Sequence, residues 1–354
     1  MSHTVRSFCC LDKDKPGWKD VTLPEMGPLD AILKPIAMCP CTSDVHIVEL
    51  NMYGECTLGH EVVGEIVEVG SMVKDFKPGD KVLVPAVTPD WNAALSQGGF
   101  AQHGTGYAEG FKFSHSKPGV FAELFHVNDA DANLAHLPEN MDLKAALMCG
   151  DMMTTGFYGA ELAQIEYGDR VCVIGIGPVG LMAVRACAIG GASEIYAVGS
   201  RPNCQQIAKE YGATHIINYK NGDIVEQVRK LTNGEGVDKV IIAGGDVGII
   251  SQGIAMTHPG GIVANVAVVG GEPNVPIPIN AIGWGLGLSD ISIVGGLCPG
   301  GRRRLERMAR LITSGRVDPT RLTNLVFTGF DKIEDAFEKM WHKPADLIKP
   351  VVIC

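Results

Sequence analysis

Between Asp30 and about Pro85 the apolar residues come in short runs, "AILKPIAM", "VVGEIVEVG" and "KVLVPA", cut apart by Pro35, Gly54, Gly70, Pro78 and Gly79. Runs of that length bounded by turn residues predict a small strand-rich domain. Between about Gly168 and Gly296 the period changes. "RVCVIG" leads into "PVGLMAVRACAIGG", "EIYAVG" into "NCQQIAKEYGA", "HIINY" into "DIVEQVRKLTNGEG" and "KVIIAGG" into "IISQGIAMTHPGG"; "IVANVAVVG" and "ISIVGG" follow. Six apolar strands alternating with helical stretches predict an α/β fold with a doubly wound parallel sheet. The tail returns to mixed structure, with a helix near Arg303 to Thr313, another around Lys332 to Trp341, and a last "DLIKPVVIC". A chain that begins β-rich, inserts a nucleotide-type domain and finishes outside it is expected to fold its two ends together.

Composition narrows the classes. At 354 residues the chain is long enough for two domains at about 150 residues each, and a hydrophobic share of 46% supplies well-buried cores. No apolar run approaches the 18 or so residues of a membrane span. The opening "MSHTVRSFCCLDKDKPGW" places charges where a signal peptide needs apolar residues, so a cytoplasmic address is expected. Eleven cysteines are scattered without a CxxC pair, which favours reduced thiols, some of them free to bind metal. A formal charge of −10 argues against nucleic acid as a partner. The local exception, Arg302-Arg303-Arg304, opens "RRRLERMARLITSG", where Leu305, Met308, Leu311 and Ile312 share one helical face. These arginines are expected to be a solvated helix end.

Two stretches carry dinucleotide chemistry. In "VIGIGPVGLMAV" Gly175, Gly177 and Gly180 have the GxGxxG spacing after a strand and at the start of a helix, with Pro178 and Val179 inside the turn. The first glycine permits the tight turn and the second the approach of a pyrophosphate. The third permits close helix packing, and the helix N-terminus favours the anion. The second strand should end on an acid if the ligand is NAD, but the chain has Gly199 there, followed by Ser200 and Arg201. An arginine at that place can bind a 2′-phosphate by donating charge-assisted hydrogen bonds, so NADP(H) is expected.

Candidate metal ligands are Cys41 in "CPCTSDVH" and His60 with Glu61 in "LGHEVVGEIVEVG". "MCGDMMTTG" offers two more, Cys149 and Asp151. A catalytic zinc takes three protein ligands and keeps one position open, and at this point either residue could complete the set.

"GHEVVGEIVEVGSMVKDFKPGDKV", Gly59 to Val82, resembles the signature of the zinc-containing medium-chain alcohol dehydrogenases. More narrowly, "PCTSDVH", "VPAVTPDW", "GVFAELFHVNDADANLAHLP", "DMMTTGFYGAEL", "GIGPVGLMAV", "AVGSRP", "GGLCPGGR" and "KPADLIKPVV" are similar to the tetrameric NADP-dependent secondary alcohol dehydrogenases of anaerobic bacteria and protists. The resemblance implies a GroES-like catalytic domain of residues 1–153 and 297–354 around a Rossmann NADP domain of residues 154–296. In the family the last zinc ligand lies five residues before the glycine of a "TG" pair. Counting back from Gly156 gives Asp151, the residue type that the subgroup uses, and leaves Cys149 out of register. The implied site is Cys41, His60 and Asp151, with Glu61 in the fourth position of the resting enzyme.

The same resemblance implies reversible hydride transfer between NADP(H) and a small secondary alcohol or ketone, such as 2-propanol and acetone. Ser43 would accept the substrate proton and His46 would pass it towards solvent. Ala86, Val87, Phe111 and Cys298 would line the substrate cavity, and Tyr219 would stand near the 2′-phosphate. The family's four clustered cysteines for a structural zinc have no counterpart between Cys56 and Cys149, so one catalytic zinc per subunit is expected. A homotetramer is implied in the same way. The short "HIVELNMYGECTLGHE", Phe111 and Val268 depart from the subgroup and bear on substrate size. The rival readings are a polyol or primary-alcohol dehydrogenase of the same family and a non-catalytic nucleotide-binding relative.

Overall fold

In the strands "RVCVI" and "EIYAV" every residue after the first is buried, as expected where helices cover both faces of a parallel sheet. They lie side by side in a computed structural model that describes residues 3–269, 276–279 and 284–354. The chain divides into two compact units, Met1–Thr154 with Cys298–Cys354, and Thr155–Leu297.

The second unit holds a six-stranded parallel sheet. In spatial order its strands are His215–Ile217, Glu194–Val198, Arg170–Ile174, Val237–Ile242, Thr257–Asn265 and Ser292–Gly295. By chain order this is 3-2-1-4-5-6, the doubly wound dinucleotide-binding topology that the alternation predicts. Register pairs Ile174 with Val198, so the turns at Gly175 and Gly199 leave the sheet side by side. One boundary differs from the sequence expectation. "THPGG" opens the strand Thr257–Asn265 instead of closing a helix, and the preceding helix stops at Met256. A ladder irregularity between Val237 and Lys239, with Gly260 at φ 83°, accommodates the proline and glycines. Gly270, the end of the expected run "IVANVAVVG", lies outside the described residues.

The first unit is built on a seven-stranded sheet. Leu325–Thr328, Pro350–Ile353, Ala31–Met38, Val62–Val69, Lys81–Leu83 and Ala135–His136 follow one another across it, and Phe125–Val127 also pairs with Ala31–Met38. Val352 stands opposite Met38, so residues from both ends of the chain share one sheet. An N-terminal hairpin, Thr4–Asp12 with Lys15–Thr22, lies outside the predicted strand region. Its second strand, "KPGWKDVT", has no apolar alternation and no buried residue. Its anchor is Trp18, which meets the rings of Phe8 and Phe330 edge-on at 5.4 and 5.5 Å.

The arginine run is solvated only at Arg303, which is exposed. It opens the helix Arg302–Thr313, but Arg302 pairs with Asp75 and Glu306. Arg304 is buried and donates to the Thr154 carbonyl at 2.9 Å. Helical periodicity foresaw the apolar face without revealing that one arginine lies on its buried side.

Candidate active site

Four segments converge in the first unit. The helix Thr42–Leu50 begins after Cys41, whose backbone N–H donates to Asp44 Oδ2 at 2.8 Å in the manner of a capping box. His60 and Glu61 precede the strand Val62–Val69, just after Gly59. Gly59 has φ 95°, and a Cβ there would lie 2.3 Å from the Phe121 ring, so the approach of His60 depends on glycine. Asp151 sits between the helices Leu143–Met148 and Met152–Leu162.

The ligand atoms of Cys41, His60, Glu61 and Asp151 all lie within 4.8 Å of one another. His60 Nε2 is 3.4 Å from Asp151 Oδ2, and Cys41 Sγ is 4.0 Å from the same oxygen. Tetrahedral bonds of about 2.0–2.3 Å put neighbouring zinc donors roughly 3.3–3.8 Å apart. The mixed sulfur, nitrogen and oxygen set at this spacing therefore fits a zinc ion. Among the described residues this is the one such grouping of His, Cys and acidic side chains. Cys149 is outside it: fully buried, its thiol points at the Ala145 carbonyl and burial pushes its pKa up to about 12.

Asp44 was not among the residues singled out by sequence. Fully buried, it places Oδ1 3.2 Å from His60 Nδ1 and accepts the Gly59 N–H at 3.1 Å. A carboxylate behind a ligating imidazole fixes the ring and raises its basicity. Burial opposes the His60 charge, but the carboxylates of Asp44 and Asp151 outweigh it and raise the imidazole pKa well above its ordinary value. The only sequence signal for Asp44 is its position three residues after the helix cap. Lys349 carried no signal at all. It donates to Glu61 Oε1 at 2.6 Å, with both side chains essentially inaccessible, and the Cys39 thiol contacts the other Glu61 oxygen at 3.3 Å. Burial opposes the lysine charge, while Cys39 and Glu61 hold its pKa well above the usual lysine range.

Ser43 Oγ lies 3.4 Å from His60 Nε2. His46, one helical turn on from Ser43, is half-buried. The Phe111 ring meets the His60 imidazole edge-on at 5.2 Å. The Ala86 N–H donates to the Gly150 carbonyl at 3.1 Å, next to Asp151. Val87 and Cys298 are buried, and Gly300 packs so closely on the Val87 carbonyl that a Cβ there would lie 1.9 Å away.

In the second unit Gly175 turns with φ 89°, and a Cβ on Gly180 would lie 1.9 Å from the Gly175 carbonyl oxygen. Both positions thus require glycine, leaving an open cradle before the helix Pro178–Gly190, which Gly177 caps and Pro178 begins. Val179 follows in the first turn, and its carbonyl packs against Gly156. Beside this turn the Ser200 hydroxyl donates to the Tyr219 oxygen at 2.7 Å. Arg201 Nη2 reaches within 3.8 Å of the Cβ position of Gly177. An arginine and two hydroxyls beside a pyrophosphate cradle fit a dinucleotide with an additional phosphate.

The sequence matches the model of the alcohol dehydrogenase GroES-like domain over residues 27–139 and that of zinc-binding dehydrogenases over residues 178–314. It is 55% identical over 352 residues to an NADP-dependent isopropanol dehydrogenase of Thermoanaerobacter brockii, covering 99% of each chain. The chain belongs to the zinc-binding alcohol dehydrogenases. NADP-dependent isopropanol dehydrogenases of Entamoeba histolytica and Clostridium beijerinckii are 54% and 53% identical to this dehydrogenase, again over 99% of it and over 96% and 100% of their own lengths. Its fold superposes on an alcohol dehydrogenase from Thermus sp. ATN1 with a TM-score of 0.82 at 29% identity, covering 100% and 99% of the two chains.

Proposed function

We propose that this dehydrogenase transfers hydride reversibly between NADP(H) and a small secondary alcohol or ketone, using one zinc ion per subunit at Cys41, His60 and Asp151. The observation that carries the proposal is the convergence of those donor atoms with Glu61 inside 4.8 Å. The secondary-alcohol and NADP(H) assignments draw on the isopropanol dehydrogenases at 53–55% identity and on the grouping of Ser200, Arg201 and Tyr219.

When bound, zinc supplies Lewis-acid polarisation of the substrate oxygen, and the nicotinamide supplies the hydride acceptor or donor. The protein residues do the rest. Ser43, beside His60 Nε2, hydrogen-bonds the substrate hydroxyl and takes its proton, and His46 on the same helix relays it towards solvent. Asp44 keeps the His60 ring oriented. Glu61, paired with Lys349, can give up its place to substrate because the lysine supplies it with an alternative partner. Ala86, Val87, Phe111 and Cys298 bound the substrate cavity. Replacing Ala86 by a bulkier residue is then expected to raise KM for large ketones more than for acetone; an equal effect would displace it from the cavity wall.

We place the enzyme in the cytoplasm as a homotetramer. All eleven cysteines are free, as a reducing compartment keeps them, and among the described residues no helix is long and apolar enough to cross a membrane. Among the described residues the strand Ser292–Gly295 stands at a sheet edge, and Leu286 and Leu288 before it are 62% and 73% exposed, which supports an assembly face. Light scattering of the purified protein tests the stoichiometry. The deciding experiment for function compares 2-propanol, a polyol and a primary alcohol with NADP and NAD, alongside zinc analysis. Reduction of NADP by 2-propanol with one zinc per chain supports the proposal. Preference for the polyol or primary alcohol transfers the enzyme to those relatives, and a zinc-free inactive protein favours a nucleotide-binding role.

A further inference from the structure

On the side away from its hairpin partner, the N-terminal strand Thr4–Asp12 pairs with the short strand Cys56–Thr57, which leads through Leu58 and Gly59 to His60. Register sets Cys9 opposite Thr57 and Cys10 opposite Cys56. Side chains alternate between faces along a strand, so the two pairs point to opposite faces. On the first face the opposed groups meet, with Cys9 Sγ 3.7 Å from Thr57 Oγ1. The second pair is two thiols. Residues opposed across an antiparallel ladder have Cα atoms about 4.5–5.5 Å apart, inside the range of about 4.4–6.8 Å that a disulfide spans. Such a pair can close through side-chain rotation with little movement of the strands. Cys10 is fully buried; its thiol donates to the Asp12 carbonyl at 3.4 Å and lies 3.8 Å from Asn51 Oδ1. Cys56 is half-buried. Neither belongs to the one grouping of three or more metal donors among the described residues.

We propose that Cys10 and Cys56 form an oxidative modification site, a disulfide that a hydroperoxide closes between the N-terminal strand and the segment delivering His60. The half-buried Cys56 is the thiol that a small oxidant reaches. Its sulfur attacks the peroxide O–O bond, giving a sulfenic acid and, with the thiol proton on the leaving oxygen, water or an alcohol. The Cys10 thiol then attacks the Cys56 sulfur. The S–S bond forms as the S–O bond breaks, and the hydroxyl leaves with the Cys10 proton as water. Two thiols lose two electrons in all, and the peroxide gains them. Burial raises the pKa of both thiols, Cys56 to about 12 with the neighbouring Cys10 adding to the effect. Both therefore rest as thiols near neutral pH, which makes closure slow and leaves the pair open in a reducing compartment. The loop that the bond closes carries Cys41 and the helix Thr42–Leu50, capped by Asn51. The disulfide is thus a brace on the segments that supply Cys41 and His60, a consequence that rests on the zinc reading above, whereas the bond itself does not.

The test treats the purified zinc-loaded protein with hydrogen peroxide, as wild type, Cys9→Ser, Cys10→Ser and Cys56→Ser, and maps its peptides by mass without reduction. Wild type and Cys9→Ser are expected to yield the Cys10–Cys56 linkage, lighter by two hydrogens and reversed by dithiothreitol; Cys10→Ser and Cys56→Ser are expected to lack it. Recovery of both thiols as free in the wild-type map overturns the site, even if a variant fails to fold. A linkage that persists in Cys10→Ser assigns the bond to Cys9 and overturns it equally. For the brace, oxidised wild type is expected to melt several degrees higher than the reduced protein and to release zinc to a chelator several-fold more slowly, with neither change in Cys56→Ser. A bridged protein with an unchanged midpoint and release rate overturns the brace. Wild type that binds no zinc overturns the metal reading, and the peptide map then decides the disulfide by itself.

Discussion

The metal centre and the nucleotide turn differ in how far along the chain their parts are gathered. Cys41, His60, Glu61, Asp151 and Lys349 are brought together from widely separated segments. Gly175 to Gly180 and Gly199 to Arg201 are two strand-to-helix turns from adjacent parallel strands. The first site is a set of buried and half-buried charges that are acceptable only because each has a partner. The second is backbone space kept open by glycines, with its charged group at the half-buried Arg201. Loss of one member should therefore be severe at the metal centre and graded at the turn.

Asp151→Ala should be the most severe change, abolishing activity and zinc binding, whereas Cys149→Ser should retain both. Metal analysis with steady-state rates checks this, and a zinc-replete, active Asp151→Ala would break the account of the ligand set. Lys349→Met should come next. It leaves Glu61 buried without its counter-ion, at a cost of about 3–5 kcal/mol, read as a lower denaturant midpoint of the metal-free protein. A midpoint equal to wild type would mean that Glu61 finds another partner or takes up a proton at little cost.

Arg201→Ala probes the other region. A hydrogen bond to a charged group contributes about 1.5–3 kcal/mol, so NADPH binding should weaken roughly 10- to 150-fold with NADH little affected. Equal weakening of both cofactors would place Arg201 away from the 2′-phosphate. Asp44→Asn should produce the smallest shift of the four, a loss of about 10- to 100-fold in zinc affinity, because it acts through the His60 ring and leaves the three ligands in place. Competition with a chelator of known affinity measures it, and an unchanged constant would reduce Asp44 to a helix cap.

The contrast also explains what was legible beforehand. Alternating strands and helices announced the six-stranded sheet, and GxGxxG with "AVGSRP" marked both turns, because each motif is contiguous and its chemistry follows from backbone geometry. For the metal centre, residue types and a resemblance pointed to Cys41, His60, Glu61 and Asp151, but their supports stayed hidden. Nothing in "PCTSDVH" marked Asp44 as a partner of His60. Lys349, in "DLIKPVVIC", had the appearance of a lysine in a terminal strand, and Arg304 looked solvated with its two neighbours.

The sequence by itself determined the succession of elements, the glycine turns, the missing acid at Gly199 and the set of candidate ligands, since all of these are local in the chain. Only the tertiary structure decided which charged groups were buried and which partner each received. It is the packing of the C-terminal strand beside Ala31–Met38 that belongs to the same fold as the Lys349–Glu61 pair, and the pairing of the N-terminal strand with Cys56–Thr57 that sets Cys10 opposite Cys56. Partner choice depends on distances between segments remote in sequence, and no periodicity or spacing along the chain encodes those distances directly.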